Sequence, residues 1–353
     1  MSIIIFVIIL AVLVLVHEFG HFIAAKKQGV KVEEFGFGLP PRLFGIKFGE
    51  TIYSINLIPL GGFVKLYGEE YHEIKKKTQS SRAFINKKPW QKSLIVMAGV
   101  IGNFILGWLL ISFLFTQGVP VPTDKVTVEK VINNSPAKLS GFATGDLIKK
   151  VEVAGKTYNI KSSSEIITLS QKHGGEIMAV TVGRGGKETL LHITPRKNPP
   201  KDQGPLGIVI TSFVEKRFTW YEAPFYGLIE SFKITGNIVK ELSKVLFQLL
   251  TFHKPDAQIS GPIGIAQFTA TAIKFGKNAV LELMALLSFN LAIINIFPFP
   301  ALDGGRLVFV LYEWITGKAS NKEIEKYVNF IGFIVLISLG VVISINDIIK
   351  LYK

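Results

Sequence analysis

Near its N-terminus the chain carries an unbroken apolar run, residues 3–16, that leads directly into the sequence HEFGH at positions 17–21. In a helix, His17 and His21 lie one turn apart on one face, so both imidazoles can reach one Zn²⁺ while Glu18 stands beside it as a base. Charged side chains at membrane depth are costly and therefore usually functional. The pairing predicts a metal site at the end of a transmembrane helix.

The composition is that of a chain with both membrane-spanning and soluble parts. Of 353 residues, 48 % are hydrophobic and 27 are Phe, which is typical of such mixed proteins. Because there is no Cys, neither a disulfide nor a thiolate ligand is possible, and a metal must be held by His and carboxylates. We predict a polytopic α-helical membrane protein with about four transmembrane helices, at 3–25, 93–115, 279–297 and 327–349.

The charge pattern indicates the partners and the orientation. The formal net charge is +14, yet the Lys residues are spread through loops and not gathered on one face with aromatic residues, as a nucleic-acid site requires. We expect no nucleic-acid partner and take the lipid bilayer as the anionic partner. Residues 26–90 hold 12 Lys and Arg against 6 Glu, which predicts a cytoplasmic loop. The N-terminus and the segment 117–277 are then predicted to lie outside.

Residues 118–197 change to short alternating strands with a helical stretch near 163–171. A short helix is predicted where Ser135 is the N-cap, Pro136 fits the first helical position and Gly141 ends it. This order, followed by a Gly-Asp turn, resembles a bacterial PDZ domain, in which a groove accepts an extended peptide or a chain end by strand addition. The alternative is another small β sandwich. Residues 198–277 are predicted as a linker and an amphipathic membrane-associated helix at 221–250.

Residues 35–66 read as a β-hairpin whose Gly and Pro bends carry exposed Phe and Leu side chains around a strand-like 51–58. That much apolar surface needs burial. One place is the membrane-facing mouth of the metal site, where an edge strand could pair with the backbone of an unwound substrate helix. The alternative is a cytoplasmic hairpin that packs on the helix ends.

A lone carboxylate, Asp303, follows an interrupted apolar segment at the end of the third predicted span. Pro298 and Pro300 break the helix, because each lacks an amide donor and clashes with the preceding turn. Asp303 could cap the helix that starts near Gly305. As a third ligand, it would complete a His, His and carboxylate set with the fourth position open to water, which is the hydrolytic zinc arrangement.

Together these features resemble the site-two protease family, and more narrowly the bacterial RseP-type intramembrane zinc metalloproteases. The resemblance rests on HEFGH in the first span, the N-x-x-P-x-P-x-L-D-G stretch at 295–304, the PDZ-like insert, and AG at 98–99 with NF at 103–104. It covers nearly the whole chain and implies Zn²⁺ as the cofactor. The positions that match the family's functional residues are the zinc ligands His17, His21 and Asp303, the general base Glu18, and the substrate-binding residues Asn295, Gly61 and Gly62.

The resemblance also implies the reaction and its setting. It implies hydrolysis of peptide bonds within transmembrane segments of single-span proteins, such as anti-sigma factors and remnant signal peptides, in regulated intramembrane proteolysis. It implies a multi-pass protein of the bacterial cytoplasmic (inner) membrane with an extracytoplasmic PDZ domain. One departure is that the best-known RseP-type enzymes carry two tandem PDZ domains, whereas this chain has room for one.

The predicted organisation has four parts. Residues 1–117 hold the first two spans and a membrane-associated hairpin, 118–197 the PDZ domain, 198–277 the linker with its amphipathic helix, and 278–353 the last two spans. Two alternatives to the protease are a non-catalytic PDZ-containing membrane scaffold or chaperone, and a transporter. An intact Glu18 beside two ligands disfavours the scaffold, and the lack of detectable inverted repeats disfavours the transporter.

Overall fold

The computed structural model describes residues 2–69, 81–251, 253 and 260–351. Part of the predicted cytoplasmic loop, with its three consecutive Lys at 75–77, lies outside the described residues. The chain forms two compact units, one of Met1–Thr116 with Thr219–Lys353 and the other of Gln117–Phe218. The helices are α1 (Ser2–Lys27), α2 (Pro89–Gln117), α3 (Pro136–Leu139), α4 (Ser163–Lys172), α5 (Ala223–Leu250), α6 (Pro262–Phe275), α7 (Lys277–Ile296), α8 (Asp303–Thr316) and α9 (Lys322–Leu351).

Four helices in the described part of the first unit are long and apolar enough to cross a membrane, namely α1, α2, α7 and α9. The four predicted spans are therefore confirmed as apolar helices of spanning length. Their ends follow local chemistry: Pro89 occupies the first position of α2, and Phe297 after α7 takes an extended conformation because Pro298 follows it. The amphipathic helix predicted at 221–250 is observed as α5, whereas α6 was not predicted.

Small residues allow α1 and α2 to approach closely. A Cβ atom on Gly20 would lie 2.2 Å from the carbonyl oxygen of Ala98, and one on Gly102 would lie 3.0 Å from that of Val16. Backbones packed at this distance gain dispersion contacts that larger side chains would prevent, as is usual between membrane helices. The crossing brings the HEFGH turn of α1 directly against the backbone of α2.

In the sequence, two long strands follow α1 and precede α2. They are β1 (Val32–Phe48) and β2 (Thr51–Leu66), which pair antiparallel with several register shifts. Residues Glu34 to Phe37 of β1 pair both with the end of β2, Gly62 to Lys65, and with its beginning at 52–55. The ribbon is thus folded back on itself, and the segment 62–66 lies at one of its edges.

Polar contacts inside the ribbon hold this fold-back. Arg42 Nε donates to Glu34 at 3.0 Å, Ser54 Oγ donates to the same carboxylate at 2.6 Å, and the Asn56 amide donates to the Gly38 carbonyl at 3.0 Å. At the turn, hydrogen bonds from Arg82 and Lys26 lower the pKa of Glu50 to about 2. The hairpin is therefore tied to the end of α1.

The second unit is mostly β. Its strands are β3 (Val119–Val131), β4 (Leu147–Val153), β5 (Lys156–Asn159), β6 (Met178–Arg184), β7 (Lys187–Ile193) and β8 (Ile208–Lys216). They form one sheet in the order β7-β6-β4-β3-β8, with β5 paired to β4. The short helix capped by Ser135 is confirmed as α3, where the Ser135 hydroxyl accepts from the Lys138 amide at 3.2 Å.

The predicted end of this unit at residue 197 is wrong. Strand β8 pairs with β3 along most of its length, and the compact unit extends to Phe218. The loop before β8 contains several Pro and Gly residues and reads as a linker, while the pairing of β8 is with a strand some ninety positions earlier. Such a long-range pairing leaves no local signal in the sequence.

Asp146 anchors the turn before β4. Its side chain is fully buried, and its two oxygens accept from Arg184 Nε and Nη2 at 2.7 Å each and from the Ala143 amide at 2.9 Å. Burial by itself would raise the pKa of Asp146, but the Arg184 hydrogen bonds and the Ala143 amide outweigh it and lower the pKa.

We predict that Asp146→Asn lowers the opening free energy of β4 by about 1–3 kcal/mol, because a charged hydrogen-bond acceptor is lost. Because the folded pKa is lowered, this stabilisation is present above pH of about 4 and is lost as the pH falls below it. Hydrogen exchange of the β4 amides in the full-length protein measures both effects. Unchanged protection in Asp146→Asn at pH 7 would contradict the prediction.

Candidate metal centre

Three ligand-type side chains converge at one point of the first unit. The Nε2 atoms of His17 and His21 are 3.2 Å apart, and the Oδ2 atom of Asp303 lies 2.9 Å from the first and 3.2 Å from the second. His17 is buried, and the other two are partly buried. The structure therefore brings together the three residues that the sequence analysis predicted as ligands.

The spacing of these atoms fits a tetrahedral zinc ion. With Zn–N and Zn–O bonds of about 2.0–2.1 Å, two ligand atoms of a tetrahedral site lie about 3.3 Å apart, close to the observed distances. The Oδ2 atom of Asp303 is buried and has no hydrogen-bond partner among the described residues. An orphaned carboxylate oxygen facing two imidazole nitrogens is what a cation ligand set requires.

Backbone geometry makes room for the two imidazoles. A Cβ atom on Gly99 would lie 2.4 Å from Nε2 of His21 and 2.7 Å from Cε1 of His17. The absence of a side chain at this position of α2 therefore allows the rings to stand edge to face, with centroids 4.8 Å apart. The other ring nitrogen of His21, Nδ1, lies 2.8 Å from the Ile95 carbonyl oxygen, which orients the ring.

The interrupted segment after α7 delivers Asp303. The helix ends at Ile296, and α8 begins at Asp303 itself. A Cβ on Gly304 would lie 2.1 Å from the Phe297 carbonyl oxygen, and one on Gly305 would lie 2.3 Å from that of Phe299, so this glycine pair lets α8 start against the extended segment. The residue before α8, Leu302, makes no side-chain cap, and Asp303 points to the histidines instead.

The charge state of Asp303 suits a ligand. Burial by itself would raise the pKa of Asp303, but the two imidazoles beside it outweigh burial and hold the pKa well below its usual range. The carboxyl group is therefore ionised at neutral pH. An ionised oxygen beside two imidazoles is a strong donor set for a divalent cation.

A cavity of about 190 Å³ opens beside the three ligands. Glu18 lines it together with one edge of the hairpin, represented by Phe63, Val64 and Leu66. A Cβ atom on Gly62 would lie 3.1 Å from the Cγ atom of Glu18, so this glycine adjoins the predicted base. The cavity thus joins the ligands, the base and the hairpin edge in one space.

The two other predicted substrate-binding residues lie at different distances from the centre. The Asn295 amide nitrogen is 3.4 Å from Nε2 of His17, so this residue adjoins the ligand atoms. Gly61 has a positive φ of 88°, and the nearest atoms to a Cβ there belong to Leu39, 3.7 Å away. Gly61 therefore shapes the bend of the ribbon, and its contacts are with the hairpin.

Two residues at the centre were missed as site residues. Arg306 lines the cavity, pairs with Glu69 and lies over the Phe84 ring at 4.9 Å. Asn103 lies 3.3 Å from Nδ1 of His17. The signal for Arg306 is its place one turn after Asp303 on α8, and the signal for Asn103 is a polar residue inside an apolar span.

Comparison with known proteins decides the family. The family described as Peptidase family M50 matches residues 5–339. The chain belongs to peptidase family M50. This is the site-two protease family, a family of zinc-dependent membrane peptidases, so the chain is a zinc metallopeptidase and Zn²⁺ is its cofactor.

Relatives match this M50 peptidase along its full length. A relative from Clostridium acetobutylicum is 34 % identical, over 99 % of this chain and 97 % of its own. The zinc metalloprotease RasP of Shouchella clausii is 30 % identical, over 99 % of both chains. The regulator of sigma-W protease RasP of Bacillus subtilis is 29 % identical, again over 99 % of both. The similarity therefore includes the spans, the hairpin and the insert.

Among solved structures, the PDZ domain of an SdrC-like protein from Listeria monocytogenes is 26 % identical to this chain. It covers 26 % of this chain and 94 % of that domain, with a TM-score of 0.22. A score this low carries no weight for the fold, and the PDZ assignment stays a prediction.

We predict that Gly99→Ala impairs zinc binding, because the added methyl group would occupy the space of the two imidazoles. Removal of a residue that orients a metal ligand usually lowers metal affinity about 10- to 100-fold, and we expect a loss of at least this size. Zinc content of detergent-purified protein, measured by atomic emission, tests this.

The matched control for that variant is Gly340→Ala, a glycine of α9 with no atom within 4 Å of the added Cβ. It should retain the zinc content of the unmodified protein. Equal zinc content in Gly99→Ala and Gly340→Ala would show that the crossing of α1 and α2 does not limit the metal site.

Proposed function

We propose that this protein hydrolyses peptide bonds within transmembrane segments of single-span membrane proteins. The observation that carries the proposal is the convergence of Asp303 with His17 and His21, which lie in the C-terminal half of α1, a helix long enough to span a membrane. A soluble peptidase has no need for apolar spans around its ligands. Substrates whose scissile bond lies in lipid do require such a setting.

In this proposal His17, His21 and Asp303 hold the zinc ion. When bound, Zn²⁺ would act as a Lewis acid on the scissile carbonyl and would make the attacking water more acidic. Glu18 accepts the proton of the attacking water and passes it to the leaving amine, so the new bond is carbon to oxygen and the broken bond is carbon to nitrogen. Its place on the cavity wall beside Gly62 supports this role.

In this proposal the hairpin edge and Asn295 bind the substrate. A helix in lipid has all its amides paired, so a segment must unwind before its carbonyl can be attacked. The segment 62–66 pairs with β1 on one side only among the described residues, and its other side could pair with the opened backbone. Gly62 permits close approach of that backbone, Gly61 sets the bend, and the Asn295 amide could bond the substrate near the scissile carbonyl.

The setting follows from the same reasoning. We assign the protein to the bacterial cytoplasmic membrane as a multi-pass protein, with residues 26–90 on the cytoplasmic side and the mostly-β unit outside. That unit is proposed to be a PDZ domain that binds a peptide or a chain end. Anti-sigma factors and remnant signal peptides are the proposed substrates, consistent with the name of the Bacillus subtilis relative, regulator of sigma-W protease.

The first test separates the base from the ligands. We predict that Glu18→Gln lowers cleavage of a single-span model substrate in detergent or proteoliposomes by about 10²- to 10⁴-fold, since general base catalysis is lost, with zinc content unchanged. Asp303→Asn should lose both cleavage and zinc. If Glu18→Gln cut the substrate as fast as the unmodified protein, the proposed mechanism would be wrong.

The second test concerns the hairpin edge. We predict that Gly62→Val lowers cleavage roughly tenfold or more without lowering zinc content, because displacing a reacting group by 1 Å can cost about 100-fold in rate. A Cβ at this position would already lie 3.1 Å from Val14 as well as Glu18. The rate of substrate cleavage and the zinc content are measured together.

The control for the hairpin test is Gly45→Ala in the outer half of β1, where the three atoms nearest to an added Cβ all belong to side chains, whereas a Cβ at Gly62 would also lie 3.2 Å from the main-chain oxygen of Gly36. It should cleave within about twofold of the unmodified protein, by the ordinary tolerance of exposed sites. Equal rates for Gly62→Val and Gly45→Ala would contradict a role for the edge.

A further inference from the structure

Inside the apolar span α2, the side chain of Asn103 is fully buried. Its amide lies 3.3 Å from Nδ1 of His17. The second polar atom of this amide group, assigned as the oxygen, has no hydrogen-bond partner among the described residues. A polar side chain that is buried in a span and only half satisfied needs a reason for being there.

The direction of this contact follows from the chemistry of the imidazole. Nε2 of His17 faces His21 and Asp303 and is therefore the atom available to a metal. A neutral imidazole that offers Nε2 as a ligand carries its proton on Nδ1 and donates it. The group facing Nδ1 must then be an acceptor, so it is the amide oxygen of Asn103 that points at the ring. Oxygen and nitrogen of a side-chain amide are assigned from their partners, and this partner decides the assignment.

Asn103 belongs to a stripe on α2 with one member per turn. Ile95 offers its main-chain oxygen to Nδ1 of His21 at 2.8 Å, Gly99 leaves room for both rings, and Asn103 meets Nδ1 of His17. Positions four apart lie on the same face of a helix. One face of α2 thus contacts the outer nitrogen of each histidine, Nδ1, which is the ring nitrogen that faces away from the other ligands.

The position of Asn103 is itself held by α7. The hydroxyl of Ser288, which is fully buried, donates to the Asn103 main-chain oxygen at 2.7 Å. Seven residues further along α7, on the same face, Asn295 lies 3.4 Å from Nε2 of His17. The contact therefore connects α1, α2 and α7 at the metal centre.

We propose that Asn103 is a positioning residue for zinc: its amide oxygen accepts the Nδ1 proton of His17, which fixes the tautomer and the direction of the ring. This rests on the proposed ligand role of His17. His21 needs no such side chain, because a main-chain oxygen performs the same task. The contact to His17 is the hydrogen bond that the structure shows for the Asn103 side chain, so the value of this residue lies in the metal site and not in the stability of the fold.

The test measures metal affinity and stability separately in the full-length protein in detergent. Zn²⁺ affinity is determined by competition with a chromophoric chelator, Co²⁺ loading is followed by its d–d absorption, and thermal unfolding is recorded for the metal-free protein. Asn103→Leu removes the acceptor and keeps the number and branching of the side-chain heavy atoms. Asn103→Asp keeps an acceptor oxygen at this position and should therefore retain Zn²⁺ affinity. Ser288→Ala removes only the contact to the Asn103 main chain.

We expect Asn103→Leu to lower Zn²⁺ affinity about 10- to 100-fold and to alter the Co²⁺ spectrum, while unfolding of its metal-free form stays close to that of the unmodified protein. Asn103→Asp should bind Zn²⁺ at least as tightly as the unmodified protein, and Ser288→Ala should lose less affinity than Asn103→Leu. Unchanged affinity in Asn103→Leu would overturn the proposal, and so would an Asn103→Asp variant that loses as much affinity as Asn103→Leu.

These outcomes are distinct from failure of the proposed function. If the unmodified protein bound no stoichiometric Zn²⁺, the ligand assignment itself would fail, whatever the variants did. If it bound Zn²⁺ and Asn103→Leu bound equally well, only the role of Asn103 would fall. Should Asn103→Leu not fold, the comparison of Asn103→Asp with the unmodified protein still decides, since a buried carboxylate that weakened binding would contradict an acceptor role.

Discussion

The close approach of α1 and α2 is the constraint on which the rest of the site depends. Glycines at 20, 99 and 102 bring the two backbones together, and the imidazoles of His17 and His21 occupy the space beside Gly99. In an apolar environment the rings could not rely on water to orient them, because unpaired polar groups are costly there. Their outer nitrogens are instead met by polar atoms of α2.

A second constraint is the need to bring a carboxylate from a distant part of the chain to these rings. Asp303 reaches them because two prolines end α7 and two glycines let α8 begin against the extended segment. A residue on an intact α7 would be restricted to one face of that helix. The helix break therefore provides both the ligand and the open space into which Glu18 and the hairpin edge face.

Much of this was predictable from sequence because the signals are local. The spans are continuous apolar runs, the HEFGH spacing matches one helical turn, and Pro and Gly around Asp303 have strong conformational preferences. Even in the mostly-β unit, the short helix after Ser135 follows from cap and proline rules. Strand β8 and the double pairing of the hairpin could not be predicted in the same way, because both depend on partners far along the chain and local patterns do not encode register.

The sequence by itself determined the apolar spans, the chemical identity of the ligands and base, and the breaks that free Asp303 from a helix. These follow from the hydrophobic effect, helical periodicity and the limits of proline, which act over a few residues. Only the tertiary structure decided that Asp303 meets the two histidines, that Gly62 adjoins Glu18, and that Asn103 rather than a main-chain carbonyl faces the outer nitrogen of His17. Those are distances between segments up to nearly three hundred residues apart, and they arise from how the helices pack and not from any one of them.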